Sequence, residues 1–171
     1  NSNFFNRFVF VTSNGHVEYY DKRHTFSLAG EHKSYTSGSN RVIINYKGWK
    51  IMPQICYDLR FPVWSRNIFD YDLLVYVANW PTPRVEAWDA LLKARAIENM
   101  SYCIGVNRIG LDNNNHQYPG HSAIYNGLGD QITQSISNLE HTEIVVLEKS
   151  HLETIRHRFK FLDDRDDFIL K

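Results

Sequence analysis

The spacing of apolar residues in the first third of the chain predicts two β-hairpins. Residues 7–12, RFVFVT, alternate in polarity, and residues 16–21, HVEYYD, follow after an Asn-Gly dipeptide typical of two-residue turns. Residues 41–46 and 49–55 predict a second hairpin through a Lys-Gly dipeptide. Residues 23–40, rich in Ser, Gly and His, separate the hairpins, and a loop of that length usually lines a site.

The rest of the chain predicts helices and strands in irregular alternation. In chain order, the pattern predicts a helix from about 58 to 69, a strand at 72–78 buried on both faces, a helix at 85–101, a strand at 102–108, a polar loop at 109–119, strands at 120–126 and 142–148, and a basic helix at 149–160. Hairpins and crossovers together predict an α/β fold in which two sheets are faced by helices. Because no repeat or interior linker interrupts the pattern, we expect one domain over residues 1–171.

The helix predicted at 85–101 has the clearest periodicity. Thr82-Pro83 before it predicts an N-cap followed by proline in the first turn. Arg95 and Glu98 are expected to pair, either on the surface or within a buried network, because each interrupts an apolar run. The face expected to be buried consists of residues at helical spacing: Trp88, Leu91, Leu92, Arg95 and Asn99.

Charge and cysteine content narrow the possible functions. The 171 residues carry 19 basic and 19 acidic side chains, which gives no reason to expect nucleic acid or an acidic membrane as a partner. No apolar run approaches the about 18 residues of a membrane span. Cys56 and Cys103 lie in or beside apolar strand patterns, which favours free thiols and a cytoplasmic location over a disulfide.

Residues 49–62, WKIMPQICYDLRFP, combine a predicted buried strand, a sharp turn at Cys56 and a helix that Asp58 can cap. Backbone N–H groups and the dipole at a helix N-terminus favour the thiolate form of a cysteine placed there. The amide of Tyr57 would donate to an oxyanion that develops beside the sulfur. The stretch therefore predicts a nucleophilic cysteine.

Four further stretches accompany this turn in a fixed order. Lys22 lies in YYDKRHTF and Glu31 in LAGEHKSY, while NWPTPR at 79–84 and KARAIENMSYCIGVNR at 93–108 come later. In this order, over about residues 7–165, the sequence resembles the nitrilase superfamily of carbon–nitrogen hydrolases, and most of all its omega-amidase branch. The resemblance implies an α-β-β-α sandwich and hydrolysis of a linear amide, in this branch a dicarboxylic acid monoamide, through a cysteine thioester.

The resemblance also implies roles for individual residues. Cys56 would be the nucleophile, and Lys22 would stabilise the oxyanion together with the Tyr57 amide. Glu31 would orient the lysine and assist acid–base chemistry. The family's triad includes a glutamate upstream of the lysine, and Glu18, the one glutamate before Lys22, does not match its motif. The chain therefore resembles the larger, C-terminal part of the fold without the N-terminal glutamate segment, and alone it is expected to show little or no turnover.

Recognition of the substrate's far carboxylate would need an arginine, because a guanidinium binds carboxylates with two parallel hydrogen bonds. Arg84 lies in the loop that lines the pocket in this family. Arg60 follows Cys56 by four residues and is the other candidate, unless it pairs with Asp58. Trp80 is expected either to wall the acyl chain or to pack in the core.

Other functions stay open at this point. In one alternative, the chain is a non-catalytic remnant that serves as an assembly or binding module. In another, it catalyses a different superfamily reaction, such as nitrile hydrolysis or N-carbamoyl cleavage. A papain-like pair of Cys56 with His121 is a further alternative. The eight histidines show no metal-binding spacing, so neither a metal nor a cofactor is expected.

The resemblance also implies assembly into a homodimer or higher homo-oligomer. Members of the superfamily pack helices near the nucleophile and exchange C-terminal tails. In this chain the tail from about 159 to 171 mixes charges with apolar side chains that would be poorly solvated if free. The tail is therefore expected to take part in contacts between subunits.

Overall fold

The computed structural model describes residues 3–134 and 136–170. Its strands are β1 (Arg7–Val11), β2 (Val17–Asp21), β3 (Ile44–Tyr46), β4 (Trp49–Ile55), β5 (Leu73–Ala78), β6 (Tyr102–Asn107), β7 (Ile109–Leu111), β8 (Gln117–Pro119) and β9 (Ala123–Tyr125). Its α-helices are α1 (Pro62–Ser65), α2 (Val85–Asn99) and α3 (Lys149–Phe159). The central sheet has the order β3-β4-β5-β6-β9, with β4, β5 and β6 parallel and both edge strands antiparallel. In the described ranges, no helix is long and apolar enough to cross a membrane.

Both predicted hairpins of the first third are present, and their turns differ. Lys47 and Gly48 have φ values of 48° and 79°, so the β3–β4 connection is the predicted two-residue turn. The β1–β2 connection is longer than the predicted two-residue turn, although Thr12 N donates to His16 O and extends the ladder by one pair beyond Val11 and Val17. A loop of three residues remains, in which Gly15 takes the left-handed position with a φ of 82°.

Hairpin β1–β2 forms a second β layer over one face of the central sheet. Phe10 packs against the buried cluster that contains Ile51. Tyr20 belongs to the same buried cluster as Ile55. Both isoleucines lie on one face of β4, so the hairpin covers this strand and brings the end of β2 close to the end of β4.

Strand β5 is not buried equally on its two faces. Leu74 and Tyr76 are fully buried and belong to the cluster under α2. On the opposite face Val77 is 36% exposed and its neighbour in register, Val106, is 50% exposed. The prediction of burial on both faces is therefore wrong, because the β1–β2 layer covers β4 and does not extend over the ends of β5 and β6.

Helix α2 confirms the predicted periodicity. Trp88, Leu92, Arg95 and Asn99 are buried and Leu91 is partly buried against the core. Arg95 Nη1 lies 3.0 Å from Glu98 Oε1, and the arginine side chain is 4% exposed while the glutamate is 34% exposed. The pair is therefore anchored in the interior at its arginine end.

The start of α2 differs from the prediction. The helix is preceded by a 3₁₀ turn, Thr82–Arg84, and no side chain caps it. The Thr82 hydroxyl donates instead to the carbonyl of Gln117 at a distance of 3.0 Å. The Thr82 side chain thus links the turn that precedes α2 to strand β8. The other end comes two residues before the predicted bound, because Met100 takes a left-handed φ of 43°.

The helix predicted from about 58 to 69 is much shorter in the structure. A 3₁₀ turn, Cys56–Arg60, is followed by the single turn of α1, with Pro62 in the first position as predicted. The Asn67 side chain accepts a hydrogen bond from Tyr71 N and donates one to Tyr71 O. These bonds close residues 67–71 into a loop, which competes with continuation of the helix.

The stretch predicted as a polar loop at 109–119 contains hairpin β7–β8. Its tip is organised by the Asp112 carboxylate, which accepts hydrogen bonds from the amides of Asn114 and His116 and from the Tyr118 hydroxyl. These donors, the His116 amide foremost, hold the pKa of Asp112 well below its usual range. The apparent loop is therefore an ordered projection.

The strand predicted at 142–148 is absent. These residues have no partner in the described sheets, and Ile144 and Val146 are 94% and 82% exposed. A β-branched pattern produces a strand only when another edge is available to pair with it. Helix α3 follows close to its predicted bounds, with Leu152 and Ile155 buried.

Candidate active site

Cys56 directly follows β4, at the carboxyl end of the parallel strands. Its φ of 47° lies in the left-handed region, which is strained by about 1–2 kcal/mol for a residue with a Cβ atom. The chain thus turns sharply at this residue, where the sequence places the turn. The Sγ atom lies 3.9 Å from the carbonyl oxygen of Asn79, which follows the end of β5.

Burial and neighbouring charges act in opposite directions on the pKa of the Cys56 thiol. Burial raises its pKa, and the positive charge of Lys22 lowers it without cancelling that effect. The negative charges of Glu31 and Asp58 raise it further. The sequence-based expectation of a thiolate at a helix N-terminus is therefore wrong, because only a short 3₁₀ turn follows the cysteine and burial dominates. Attack on a substrate requires removal of the thiol proton.

Lys22 is held as a buried cation one residue after β2. The residue is 3% exposed, and its Nζ lies 2.6 Å from Glu31 Oε2. Its backbone amide donates to the carbonyl of Asn6, and its own carbonyl accepts from Gly38 N. The ammonium group is thus fixed by its backbone as well as by its partner.

Glu31 lies in the predicted loop, at the start of the 3₁₀ turn Glu31–Lys33. Its carboxylate accepts hydrogen bonds from Lys22 Nζ, from Asn6 Nδ2 at 2.9 Å and from Phe26 N at 2.6 Å. Burial acts to raise the pKa of Glu31, and the three donors together with the charge of Lys22 lower it below the ordinary value. The glutamate is therefore an ionised anchor for the lysine and a weak base.

The structure brings Cys56, Lys22 and Glu31 together in one cavity of about 470 Å³. The cavity opens where the end of β2, the end of β4 and the end of β5 meet. Its other lining residues are Asn6, Phe26, Ala29, Ile55, Val77, Ala78 and Asn79.

The predicted substrate-binding residues line two neighbouring cavities. Tyr57, Arg60, Trp80 and Arg84 surround a small recess that also contacts Cys56. Arg84 also borders a larger cavity of about 680 Å³, whose far wall is the tip of hairpin β7–β8. Phe26 and Asn79 line all three cavities, which are therefore neighbours.

Both candidate arginines are available for an anionic ligand. Arg84 Cζ lies 5.4 Å from the ring centre of Phe26, and Arg60 Cζ lies 4.9 Å from that of Trp80. In the described part of the chain neither guanidinium has a carboxylate partner. Arg60 does not pair with Asp58, whose oxygens are occupied by other donors.

Trp80 packs in the core and also borders the recess. The residue is 3% exposed, and its ring lies 5.6 Å from that of Trp88 in the core. Its Nε1 donates to the carbonyl of Arg84 at 2.6 Å, and its backbone amide donates to Asn107 Oδ1 at 2.7 Å. Trp80 thereby holds the loop that presents Arg84 while one edge lines the recess.

Sequence reasoning missed Asn6, Phe26 and Asn79 as members of the site. Asn79 had a usable signal, because ligands in open α/β sheets bind outside the carboxyl ends of the strands. Asn6 and Phe26 had none, since an asparagine before a strand and a phenylalanine in a loop are ordinary. The alternative base His121 pairs instead with Asp89 at 2.9 Å and does not line the cavity around the thiol.

Comparison with known proteins decides the family. The sequence profile described as carbon-nitrogen hydrolase matches residues 1–156. The chain belongs to the carbon-nitrogen hydrolase family. A protein of this family from Xanthomonas campestris, solved with an arsenic adduct in its active site, has a TM-score of 0.95 and 43% sequence identity over 98% of this chain and 66% of its own. The fold is therefore that of the nitrilase superfamily, as the sequence predicts.

Curated relatives in the carbon-nitrogen hydrolase family carry amidase names. Omega-amidase YafV of Yersinia enterocolitica is 48% identical over 165 residues, which is 96% of this chain and 64% of that protein. The 2-oxoglutaramate amidase of Bacillus subtilis is 36% identical over 132 residues, 75% of this chain and 51% of that protein. The chain thus spans about two thirds of the length of the first of these relatives.

Proposed function

We propose that the protein hydrolyses the terminal amide of dicarboxylic acid monoamides, with Cys56 as the nucleophile. The observation that carries this proposal is the meeting of Cys56, Lys22 and Glu31 in one cavity, beside two arginines that have no carboxylate partner among the described residues. The similarity to omega-amidase YafV and to a 2-oxoglutaramate amidase supports the substrate class.

The proposed reaction proceeds through a thioester. Cys56 Sγ attacks the amide carbon as its proton passes to a base, and the oxyanion is stabilised by Lys22 and the Tyr57 amide. Collapse of this intermediate breaks the C–N bond as the same base delivers the proton taken from the thiol to the nitrogen, which leaves as ammonia. Water then attacks the thioester, which releases the dicarboxylic acid and returns the thiol.

Glu31 anchors Lys22 in this scheme and is poorly suited to be the first base. Its carboxylate has three donors and a lowered pKa, so it competes weakly for the thiol proton. In the part of the chain that the structure describes, no second carboxylate lines the cavity. A general base typically contributes about 10²–10⁴-fold to rate, and the described lining of this cavity supplies the nucleophile and the cation without a carboxylate suited to be that base.

Arg84 and Arg60 are proposed to bind the far carboxylate of the substrate. In an active preparation, Arg84→Ala or Arg60→Ala should raise KM for dicarboxylic acid monoamides about 10- to 100-fold, since a charge-assisted hydrogen bond contributes about 1.5–3 kcal/mol. KM for neutral amides should change little. Arg158→Ala is the matched control, because this arginine also lies over an aromatic ring, Phe159, but on α3. Equal losses on charged and neutral amides would contradict the assignment.

We propose that the protein forms a homodimer or higher homo-oligomer through its exposed C-terminal segments. Ile144, Val146 and Ile169 are each more than 80% exposed, which favours contact with another subunit. Sedimentation at micromolar concentration should show an assembly, and replacing Ile144 and Val146 by Asp should weaken it. A monomer at those concentrations would contradict the proposal.

A reducing, cytoplasmic location is proposed from the two cysteines. Both are free thiols, and Cys103 is completely buried in the core. Free cysteines are typical of proteins kept in reducing compartments. Fractionation of cells that express the protein would test this, and recovery from an oxidising compartment would contradict it.

A further inference from the structure

The Asp58 carboxylate is completely buried, although charged side chains are rarely fully buried in proteins. It faces neither the cavity around the thiol nor the arginines of the neighbouring recess. Its position two residues after Cys56 nevertheless places it directly behind the nucleophile.

Asp58 accepts four hydrogen bonds, which come from the segment that leads to Cys56 and from the segment around Lys22. On the nucleophile side, Ile55 N donates to Oδ2 at 3.0 Å. On the lysine side, His24 N donates to Oδ1 at 3.0 Å, and His24 Nδ1 lies 2.8 Å from the same oxygen. The fourth donor is the Tyr20 hydroxyl, 2.8 Å from Oδ2. Asp58 thus binds the residue before Cys56 and a residue two positions after Lys22.

Tyr20 closes this network from β2. The residue is fully buried, and its hydroxyl accepts hydrogen bonds from Trp64 Nε1 and Arg23 N, both at 3.0 Å. Burial raises the pKa of Tyr20, and the nearby carboxylate raises it further, so the hydroxyl keeps its proton for Asp58. One phenol and one carboxylate therefore link the strand that leads to Lys22, the turn at Cys56 and helix α1.

We propose that Asp58, clamped by Tyr20, is a positioning residue that sets the place of Lys22 relative to the Cys56 thiol. This inference rests on the proposed function, because it assigns Lys22 and Cys56 to one reaction. Lys22 is carried by hairpin β1–β2 and Cys56 by the central sheet, which are separate sheets. Displacement of a catalytic group by about 1 Å can reduce rate about 100-fold, so a rigid connection between the two sheets has a direct effect on catalysis.

Replacement of Asp58 by Asn separates a positioning role from a purely electrostatic one. The charge of Asp58 raises the pKa of the Cys56 thiol, so its removal without movement would make the thiol more reactive. Displacement of Lys22 would change the thiol pKa in the opposite direction, because Lys22 would then stabilise the thiolate less. We expect Asp58→Asn to slow alkylation of Cys56 by iodoacetamide at pH 8 and to lower kcat with little change in KM.

Tyr20→Phe is the milder variant, since it keeps the ring and removes only the hydroxyl. We expect its alkylation profile to move upward by about half a pH unit, which is about threefold in thiolate fraction. Tyr71→Phe is the matched control, because Tyr71 is also fully buried, donates its hydroxyl to Ser65 O at 2.5 Å and does not line the cavity around the thiol. It should lose similar thermal stability and keep the wild-type profile.

The outcomes separate this proposal from the amidase assignment. Folded Asp58→Asn and Tyr20→Phe proteins with unchanged or faster alkylation would overturn the positioning role, whatever substrate is hydrolysed. Failure of both variants to fold would also overturn it, because the network would then be required for folding. Absence of monoamide hydrolysis by a preparation that also contains the family's further glutamate, with the predicted alkylation changes present, would refute the amidase assignment alone.

Discussion

At the scale of single residues, burial and neighbouring charges set the pKa values of Glu31 and Cys56. Lys22 and Glu31 form an ion pair with an N–O distance of 2.6 Å, and both side chains are largely shielded from water. Burial raises the pKa of Cys56 and outweighs the attraction of the lysine. The candidate site therefore places a thiol of raised pKa next to a fixed cation, which would act most strongly when negative charge develops on sulfur or on a substrate oxygen.

The raised pKa of Cys56 predicts a specific pH dependence. A thiol with a pKa above its ordinary value of 9.0 is mostly protonated at pH 8, so alkylation should still accelerate as pH rises past 9. Lys22→Met removes a positive charge that lowers this pKa, and we expect the profile to shift upward by about one pH unit. Lys33→Met is the control, because Lys33 is exposed in the same loop. A profile that does not move in Lys22→Met would contradict the predicted coupling.

At the scale of elements, sequence patterns succeeded where local chemistry decides the structure. The Lys47-Gly48 turn and the buried face of α2 follow from backbone preference and helical spacing. The predicted strand at 142–148 failed because its pattern contains no information about a partner strand. The helix predicted to reach 69 failed because the Asn67 side chain bonds to Tyr71 and closes a loop.

The site was predictable only in part for the same reason. The turn at Cys56 has a local sequence signal, whereas the approach of Lys22 and Glu31 to it depends on how two sheets pack. The resemblance to a family supplied that association, and no spacing rule would have done so. The network of Asp58 with Tyr20 joins residues 38 positions apart, beyond the range of any pattern in this one sequence.

The packing of α2 on the central sheet gives a test at this scale. Gly105 on β6 leaves no space for a side chain, because a Cβ atom there would overlap Leu92 Cδ1 and lie 2.7 Å from Trp88 Cζ2. Gly105→Ala should destabilise the protein by about 1–3 kcal/mol, measured by chemical unfolding. Adding Leu92→Ala should make the pair of changes less costly than the sum of the single changes. Strict additivity of the two changes would show that the contact with Leu92 is not what excludes a side chain at position 105.

At the scale of the whole molecule, the active site lies at a junction. The central sheet supplies Cys56 and Asn79, while hairpin β1–β2 and its following loop supply Lys22 and Glu31. Tyr20, Ile55 and Trp64 fill the space between these two parts with a small buried cluster. The chemistry therefore depends on a tertiary contact, and changes that loosen this cluster should impair reactivity before they unfold the protein.

The most direct test is to trap the acyl intermediate. The protein would be mixed with the monoamide of glutaric acid, quenched in acid within the first turnover and mapped by peptide mass spectrometry, with Cys103→Ala as the matched cysteine control. A glutaryl thioester on the peptide that contains Cys56, present in Cys103→Ala and absent in Cys56→Ala, is the result that we predict. Hydrolysis that persists in Cys56→Ala, or an adduct on any other residue, would contradict Cys56 as the nucleophile.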